Sequence, residues 1–544
     1  MDELLLQRRE FLKMLATLVP ATAIDWDAFP FNHTRLAGTD EFDAIVIGSG
    51  LGGLSCAAAF ARQGFKPLVI EQHDKPGGFA TAFARPGGYV FDVSLHSTTV
   101  SQRDGHYNLL PGFPEITSVD FVQHPSLFRA IYPEHDISVP QKDPKAYVDK
   151  LSALFPDEQS GIASLFEDMR GLAGDIGRFS AARGQVDMSR FPADFPVLFR
   201  LSGKTWGDMV DARLHNPKLK AIVSGQWGYY GLPPSKLSCY YYALPFLGYL
   251  TYGGFYPHGR SQDISNALAR YIQEHGGKVL LNTRVSKILV KDQAATGVST
   301  ADGKEFKSRV VISNADPFST FRTMVGDQQG LTEYESRWQE YSVSLSCFSV
   351  FLGLKEDLVK KLGITDSEIF ISSGYDPEAD YAAAVKGDMD NPGVGISLYD
   401  NIFSGYSPAG KNTISLLTLQ GYGPWEKFER DYHAGKKEEY RREKERIASM
   451  LIQKAERSLL PGLSKAIEIQ EIGTPLTVVR YTGAHRGAIY GWDQTVNNSG
   501  ANRVGHATPI KNLYLAGAWS RPGHGYGAVI PSGLECFGEI MKTW

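Results

Sequence analysis

The sequence predicts an α/β protein of two domains, a Rossmann-like dinucleotide-binding domain with an α+β domain threaded through it. Three observations carry that prediction. The nearly continuous apolar run Phe42 to Ile47 passes at once into Gly48-Ser49-Gly50-Leu51-Gly52-Gly53, as a strand buried on both faces passes into a phosphate-binding turn. Similar strand patterns resume in the middle of the chain and again near its C-terminus. At 544 residues the chain also exceeds the size at which a single core stops growing.

At the N-terminus, Arg8-Arg9-Glu10-Phe11-Leu12-Lys13 precedes the apolar run Met14 to Val19 and then Ala21-Thr22-Ala23. This is the pattern of a twin-arginine export signal with a small-residue cleavage site, followed by a tether to Asp40. It implies an exported, periplasmic protein that acquires any cofactor before leaving the cytoplasm. The alternative is a short basic amphipathic helix that caps the fold or touches a membrane surface, because the apolar run is too short to span a bilayer. The protein would then be cytoplasmic or membrane-peripheral.

Phe42 to Ile47 predicts a strand, Leu54 to Gln63 a helix closing at Gly64, and Lys66 to Ile70 a second strand ending on Glu71, which together make a βαβ unit. Further on, Ile264 to Glu274 has a helical pattern, and Lys278 to Leu281, Val285 to Val290 and Arg309 to Asn314 read as strands. Residues 41–105, 246–319 and 471–544 are assigned to the dinucleotide domain; 106–245 and 320–470, rich in aromatic residues and proline, to the substrate domain. Lys436 to Leu460 is charged apart from one apolar face and reads as a solvated helix.

Composition narrows the classes of function. With 42% hydrophobic residues, 21% charged residues and a net charge of -4, the chain is ordinary globular protein with no basic excess for nucleic acid. Cys56, Cys239, Cys347 and Cys536 lack the spacing of a metal site or a disulfide framework.

In the glycine motif, Gly48 permits the tight turn, Gly50 the approach to a pyrophosphate, and Gly53 close packing of helix on strand. The helix N-terminus favours the phosphates, and Glu71 can accept hydrogen bonds from an adenosine ribose that carries no 2′-phosphate. So far NAD and FAD are not separated. Gly77, Gly78 and Thr81 just past Glu71, with the distant segment NLYLAGAWSRPGHGYGAVI from Asn512 to Ile530, favour FAD, whose ring lies far from its adenine and needs a second anchor. There Gly517 allows close approach, and a helix starting near Gly525 can turn its N-terminal amides to the isoalloxazine.

The segments EQHDKPGGFATAF and YVFDVSLH between Glu71 and His96 resemble the retinol saturase, carotenoid isomerase and phytoene desaturase group of flavoproteins. GGFYPHGR, VVISNADP, TPLTVVRYT, GAIYGW and NLYLAGAW are similar to that group as well. The resemblance implies FAD contacts at Gly48, Gly50, Gly53, Glu71, Gly78, Val285 (through its backbone, to adenine), Gly517 and Val529, with Ile530 beside them. Two departures stand out: Ser94 where the group commonly has glycine before LH, and Arg260 where it commonly repeats glycine after YPxG. Both are expected near the flavin or the substrate entrance.

For a proton donor or acceptor the candidates are His96, His524 and Tyr526, with a histidine able to titrate near working pH; the plain alternative is that the histidines only hold loop backbone. GQWGYYG (Gly225 to Gly231) and CYYYALPFLGY (Cys239 to Tyr249) read either as an apolar tunnel or as core. Three functions stay open. One is a flavoenzyme acting on a carotenoid, retinoid or other isoprenoid lipid by desaturation, saturation or flavin-mediated cis-trans isomerisation, with quinone, oxygen or a redox protein as electron partner. The others are a flavin amine oxidase and a non-catalytic, flavin-stabilised lipid carrier.

Overall fold

The computed structural model describes residues 41–103, 106–110, 112–182 and 186–544; the expected export signal lies outside them. Strand β1 (Glu41–Ile47) is followed by helix α1 (Leu51–Arg62) and strand β2 (Pro67–Ile70). β1 pairs in parallel with β2 on one edge and with Glu305–Ser313 on the other. That central place accounts for its unbroken apolar sequence, since both of its faces are covered. Lys278–Leu280 extends the sheet beyond β2, while Ala294–Thr300 and Val285–Lys291 extend it antiparallel from Glu305–Ser313. Leu513–Leu515 also joins Glu305–Ser313, in parallel. The C-terminal segment is thereby carried to the mouth of the glycine turn.

Three more helices shape the site: α2 (Cys239–Tyr252), α3 (Ser261–Glu274) and α4 (Tyr526–Met541). α4 lies hard against α1. A Cβ on Gly533 would stand 2.1 Å from the Gly52 carbonyl oxygen, and the Ser55 hydroxyl donates to the Ile530 carbonyl at 2.9 Å.

The second sheet runs, in spatial order, Ile467–Gly473, Ser346–Leu354, Asn412–Gln420, Val394–Leu398, Glu368–Ile371, Phe128–Ile131 and Asp136–Val139. Its two faces alternate as strand geometry requires. Phe348, Val350, Leu352, Ile369, Ile396 and Leu416 form an apolar core with Trp425, Phe428, Ile447 and Leu451 of the covering helices. Cys347, Phe351, Leu417, Leu419, Glu368 and Phe370 face a cavity instead.

The expected divisions at 245/246 and 470/471 fall inside α2 and inside Ile467–Gly473. Both elements are continuous because each serves two neighbours: α2 has one face in the helical core and one on the cavity, and the strand links the second sheet to the segment leading back to the dinucleotide domain. Among the described residues no helix is long and apolar enough to cross a membrane.

Candidate flavin and substrate site

A cavity of about 2090 Å³ runs from the glycine turn to the inner face of the second sheet. Ordinary ligand pockets measure about 300–1,000 Å³, so this one has room for a dinucleotide and a large second molecule.

Its cofactor end is built around Asn314, the last residue of the strand pattern Arg309 to Asn314, whose role the sequence does not mark. A Cβ at Gly50 would stand 2.6 Å from Asn314 Nδ2, and Cβ atoms at Gly52 and Gly517 would stand 2.9 and 2.4 Å from its Oδ1. Gly52 is also blocked by Gly517 itself, at 2.6 Å from its Cα. The two ends of the chain therefore meet through glycines against one amide side chain, and side chains at these positions would fill the space. Gly48 and Gly517 further hold φ of +88° and +90°, a region that favours glycine.

No side chain caps α1, whose N-cap is Gly50, or α4, whose N-cap is Gly525. Both helix N-termini lie on the cavity, so their free amides and dipoles offer two anion-favouring ends. Glu71 is oriented by Ser49, which donates from its backbone N–H at 2.8 Å and its hydroxyl at 2.7 Å, and by the His73 N–H at 2.8 Å.

Gly48, Gly50, Glu71, Gly77, Gly78, Thr81, Val285, Gly517 and Val529 all line the cavity. Gly53 and Ile530 do not. Gly53 lies beneath the turn, where a Cβ would come 2.4 Å from the Gly48 carbonyl oxygen, and Ile530 is fully buried in the core. Each acts by packing, not by facing the cavity.

Of the two departures, Ser94 lines the cavity, donates to the Phe79 carbonyl at 2.8 Å and lies 3.4 Å from the Tyr526 hydroxyl. Arg260 is not on the cavity: its guanidinium covers the Tyr406 ring at 4.2 Å and donates to the Tyr406 carbonyl at 2.7 Å. Its φ of +68° fits a position where glycine is at home. The neighbouring motifs are tied by Asp92, which accepts from the Tyr256 hydroxyl at 2.7 Å and from the Ser261 N–H at 2.8 Å. Another residue missed from sequence, Arg503, is a buried guanidinium donating to the carbonyls of Trp492, Ala518 and Ser520 at 3.1, 2.6 and 3.0 Å. It pins GAIYGW to AGAWS.

His96, His524 and Tyr526 all line the cavity, but neither histidine titrates near neutral pH. Burial pushes His96 down to about 4, and burial with the nearby Arg503 charge pushes His524 down to about 3. Desolvation penalises the imidazolium, which corrects the expectation of a histidine acid working near neutrality. His96 Nδ1 instead bonds the Ser397 hydroxyl at 2.6 Å, and His524 stacks on Tyr490 with ring centroids 4.2 Å apart. Burial likewise raises the Tyr526 phenol far above its ordinary range.

The substrate end is apolar and aromatic. On α2, Tyr241, Leu244, Pro245, Gly248, Tyr249 and Tyr252 line the cavity, the three-and-four spacing of one helix face. Cys239, Tyr240, Tyr242, Ala243, Phe246 and Leu250 are buried in the helical core. The tunnel and core readings of this stretch each describe one face. Trp227, Tyr229 and Tyr230 add to the wall.

A model of the family described as flavin containing amine oxidoreductase matches residues 51–536. An all-trans-retinol 13,14-reductase of Danio rerio is 28% identical over 511 residues, 88% of this chain and 82% of that one. Prolycopene isomerase 1, chloroplastic, of an Oncidium hybrid cultivar is 26% identical over 522 residues, 92% of this chain and 84% of that one. Among solved structures, a putrescine oxidase superposes with a TM-score of 0.61 at 14% identity, covering 93% of this chain and 99% of that one, a likeness of fold alone. With the family match spanning most of the chain and a dinucleotide cradle closed by both ends of the sequence, the chain belongs to the flavin-containing amine oxidoreductase family and is an FAD-dependent oxidoreductase.

Proposed function

We propose that the enzyme acts on a hydrophobic polyene or other isoprenoid lipid, by saturation, desaturation or cis-trans isomerisation. The observation that carries this reading is the cavity: its far end is walled by Leu244, Tyr249, Phe370, Leu417 and Leu419 and is continuous with the flavin cradle. A relative at 28% identity is named for reduction of retinol and one at 26% for isomerisation of prolycopene, which supports the same class.

FAD supplies the redox chemistry when bound. The chain's own residues do the rest. The helix N-termini of α1 and α4 favour its negative groups, Glu71 offers acceptors to a ribose, and Asn314 sets the gap between the two glycine segments. The aromatic wall holds an elongated apolar molecule and excludes water, which strengthens electrostatic interactions inside. His96 and His524, held neutral, contribute hydrogen bonds and stacking without charge.

Export through the Arg8-Arg9 signal, with a quinone, oxygen or a redox protein as electron partner, belongs to the same proposal. A reporter fused to residues 1–40 is expected to lose export when Arg8→Lys and Arg9→Lys are combined. Undiminished export of the double variant would remove the periplasmic assignment.

Product analysis tests the reaction. The FAD-loaded protein is incubated anaerobically with retinoids and carotenoids, with oxidised and with reduced flavin in parallel. The expected result is one lipid that gains or loses a pair of hydrogens, or returns as a geometric isomer. Peroxide released from amines in air, with every polyene recovered unchanged, would overturn the proposal in favour of an amine oxidase.

A further inference from the structure

Of the carboxyl groups on the cavity wall, which also include Asp316, Asp380, Asp388 and Glu471, the most deeply buried is one that neither the cofactor cradle nor the sequence candidates account for. Glu368 begins the strand Glu368–Ile371 and faces the cavity, yet only 2% of its surface is exposed. Its Oε1 is buried with no hydrogen-bond partner, and the rest of the carboxyl meets two hydroxyls, that of Tyr229 at a long 3.5 Å and that of the neighbouring Ser397. Directly across the ladder is Ser397, whose hydroxyl lies 2.6 Å from His96 Nδ1 and is shared between that ring and the Glu368 carboxyl.

The polar groups around this carboxyl are Tyr229, Tyr249 and Tyr399, with Ser397 cross-strand. All are neutral, and His96 behind Ser397 is neutral as well. In such surroundings burial pushes the Glu368 carboxyl up to about 8; at neutral pH it is a carboxylic acid, with one O–H to give and a carbonyl oxygen to accept.

A buried acid with an oxygen left unpaired costs about 1–3 kcal/mol. A hydrocarbon polyene lying against Glu368 would leave that oxygen unpaired. A hydroxyl or carbonyl oxygen on the lipid would satisfy it.

We propose that Glu368 is the specificity-determining anchor for an oxygen atom on the substrate, so that the enzyme selects an alcohol or carbonyl derivative of a polyene over the parent hydrocarbon. This rests on the polyene reading above and adds the polar group that the substrate must carry.

Binding to the FAD-loaded protein tests it without turnover. Three probes are compared by quenching of intrinsic tryptophan fluorescence: all-trans-retinol, the hydrocarbon in which its hydroxyl is replaced by hydrogen, and retinylamine. Wild type is expected to bind the alcohol about tenfold more tightly than the hydrocarbon and more tightly than the amine. Glu368→Ala is expected to bind alcohol and hydrocarbon alike, while Glu368→Gln, whose amide still gives and accepts hydrogen bonds, keeps most of the preference. Flavin absorbance per protein, expected unchanged, reports the fold of each variant; should the alanine variant lose flavin, the wild-type preference and the glutamine variant decide.

Equal binding of alcohol and hydrocarbon by wild type, or a full preference surviving in a flavin-loaded Glu368→Ala, overturns the anchor and leaves the polyene reading standing. Preference for the amine overturns it in favour of a carboxylate that holds an ammonium. If no polyene binds at all, the polyene reading itself falls and the anchor with it.

Discussion

Single residues set the cofactor site by exclusion. Gly52 has the Gly517 Cα within 2.6 Å of where its own Cβ would stand, so Gly52→Ala must push the C-terminal segment away. Overpacking of this kind costs about 1–3 kcal/mol, and here the strain falls between the two halves of the cradle. Purified Gly52→Ala is expected to carry much less flavin per protein than wild type, read from visible absorbance; full occupancy would contradict the role given to that contact. Glu368 gives a second prediction, through pH. Its folded-state value of about 8 lies above the ordinary 4.5, so below about 4.5 both folded and unfolded chains hold the proton. As pH rises toward 8 the unfolded chain releases a proton that the native state still keeps, so the group's contribution to stability is lost across that window. Melting curves between pH 4.5 and 8 should show wild type losing stability relative to Glu368→Gln as pH rises, with parallel curves contradicting a neutral buried acid. The glycines were legible in sequence because a strand, a turn and a helix start surround them. Glu368 was not: nothing in its short strand marks which face meets the cavity, and its protonation depends on tyrosines brought in from three other segments.

At the scale of elements, β1, α1 and β2 could be read directly because a parallel strand buried on both faces leaves a continuous apolar run. α1 begins at Leu51, earlier than the expected Leu54, because the motif's last two glycines already belong to its first turn. α2 was harder. It is apolar or aromatic nearly all round, so periodicity alone could not divide it into a core face and a cavity face; only its neighbours do so. Gly248 sits on the cavity face, and a Cβ there would meet nothing within 4 Å. Gly248→Leu should therefore fold well, since replacing a helical glycine gains about 0.8–1.0 kcal/mol of propensity at most, while the added side chain intrudes where the proposed lipid would lie. Flavin content is expected to stay at the wild-type level and polyene affinity to fall about tenfold or more, as loss of a few buried methylene contacts implies. Unchanged affinity would place the substrate elsewhere.

For the whole molecule, the design principle is that distant parts of the chain close one cavity. The first βαβ unit and the last helix provide the cofactor cradle, and a seven-stranded sheet with α2 provides the aromatic end, where the lipid is proposed to bind. The pairing of both chain ends on one sheet was foreseeable, because a flavin needs an anchor at each extremity. The histidine acid was not borne out, since burial inside the completed cavity holds both imidazoles neutral. A bound flavin in redox contact with a polyene would show itself in the flavin's visible spectrum, recorded without oxygen while retinoids and carotenoids are added to the oxidised and to the pre-reduced protein. One such lipid is expected to perturb the flavin spectrum in the cavity and either to bleach the oxidised form, to reoxidise the reduced form, or to leave as an isomer after contact with the reduced form. A flavin spectrum indifferent to every polyene, in a protein that instead bleaches with amines, would contradict it.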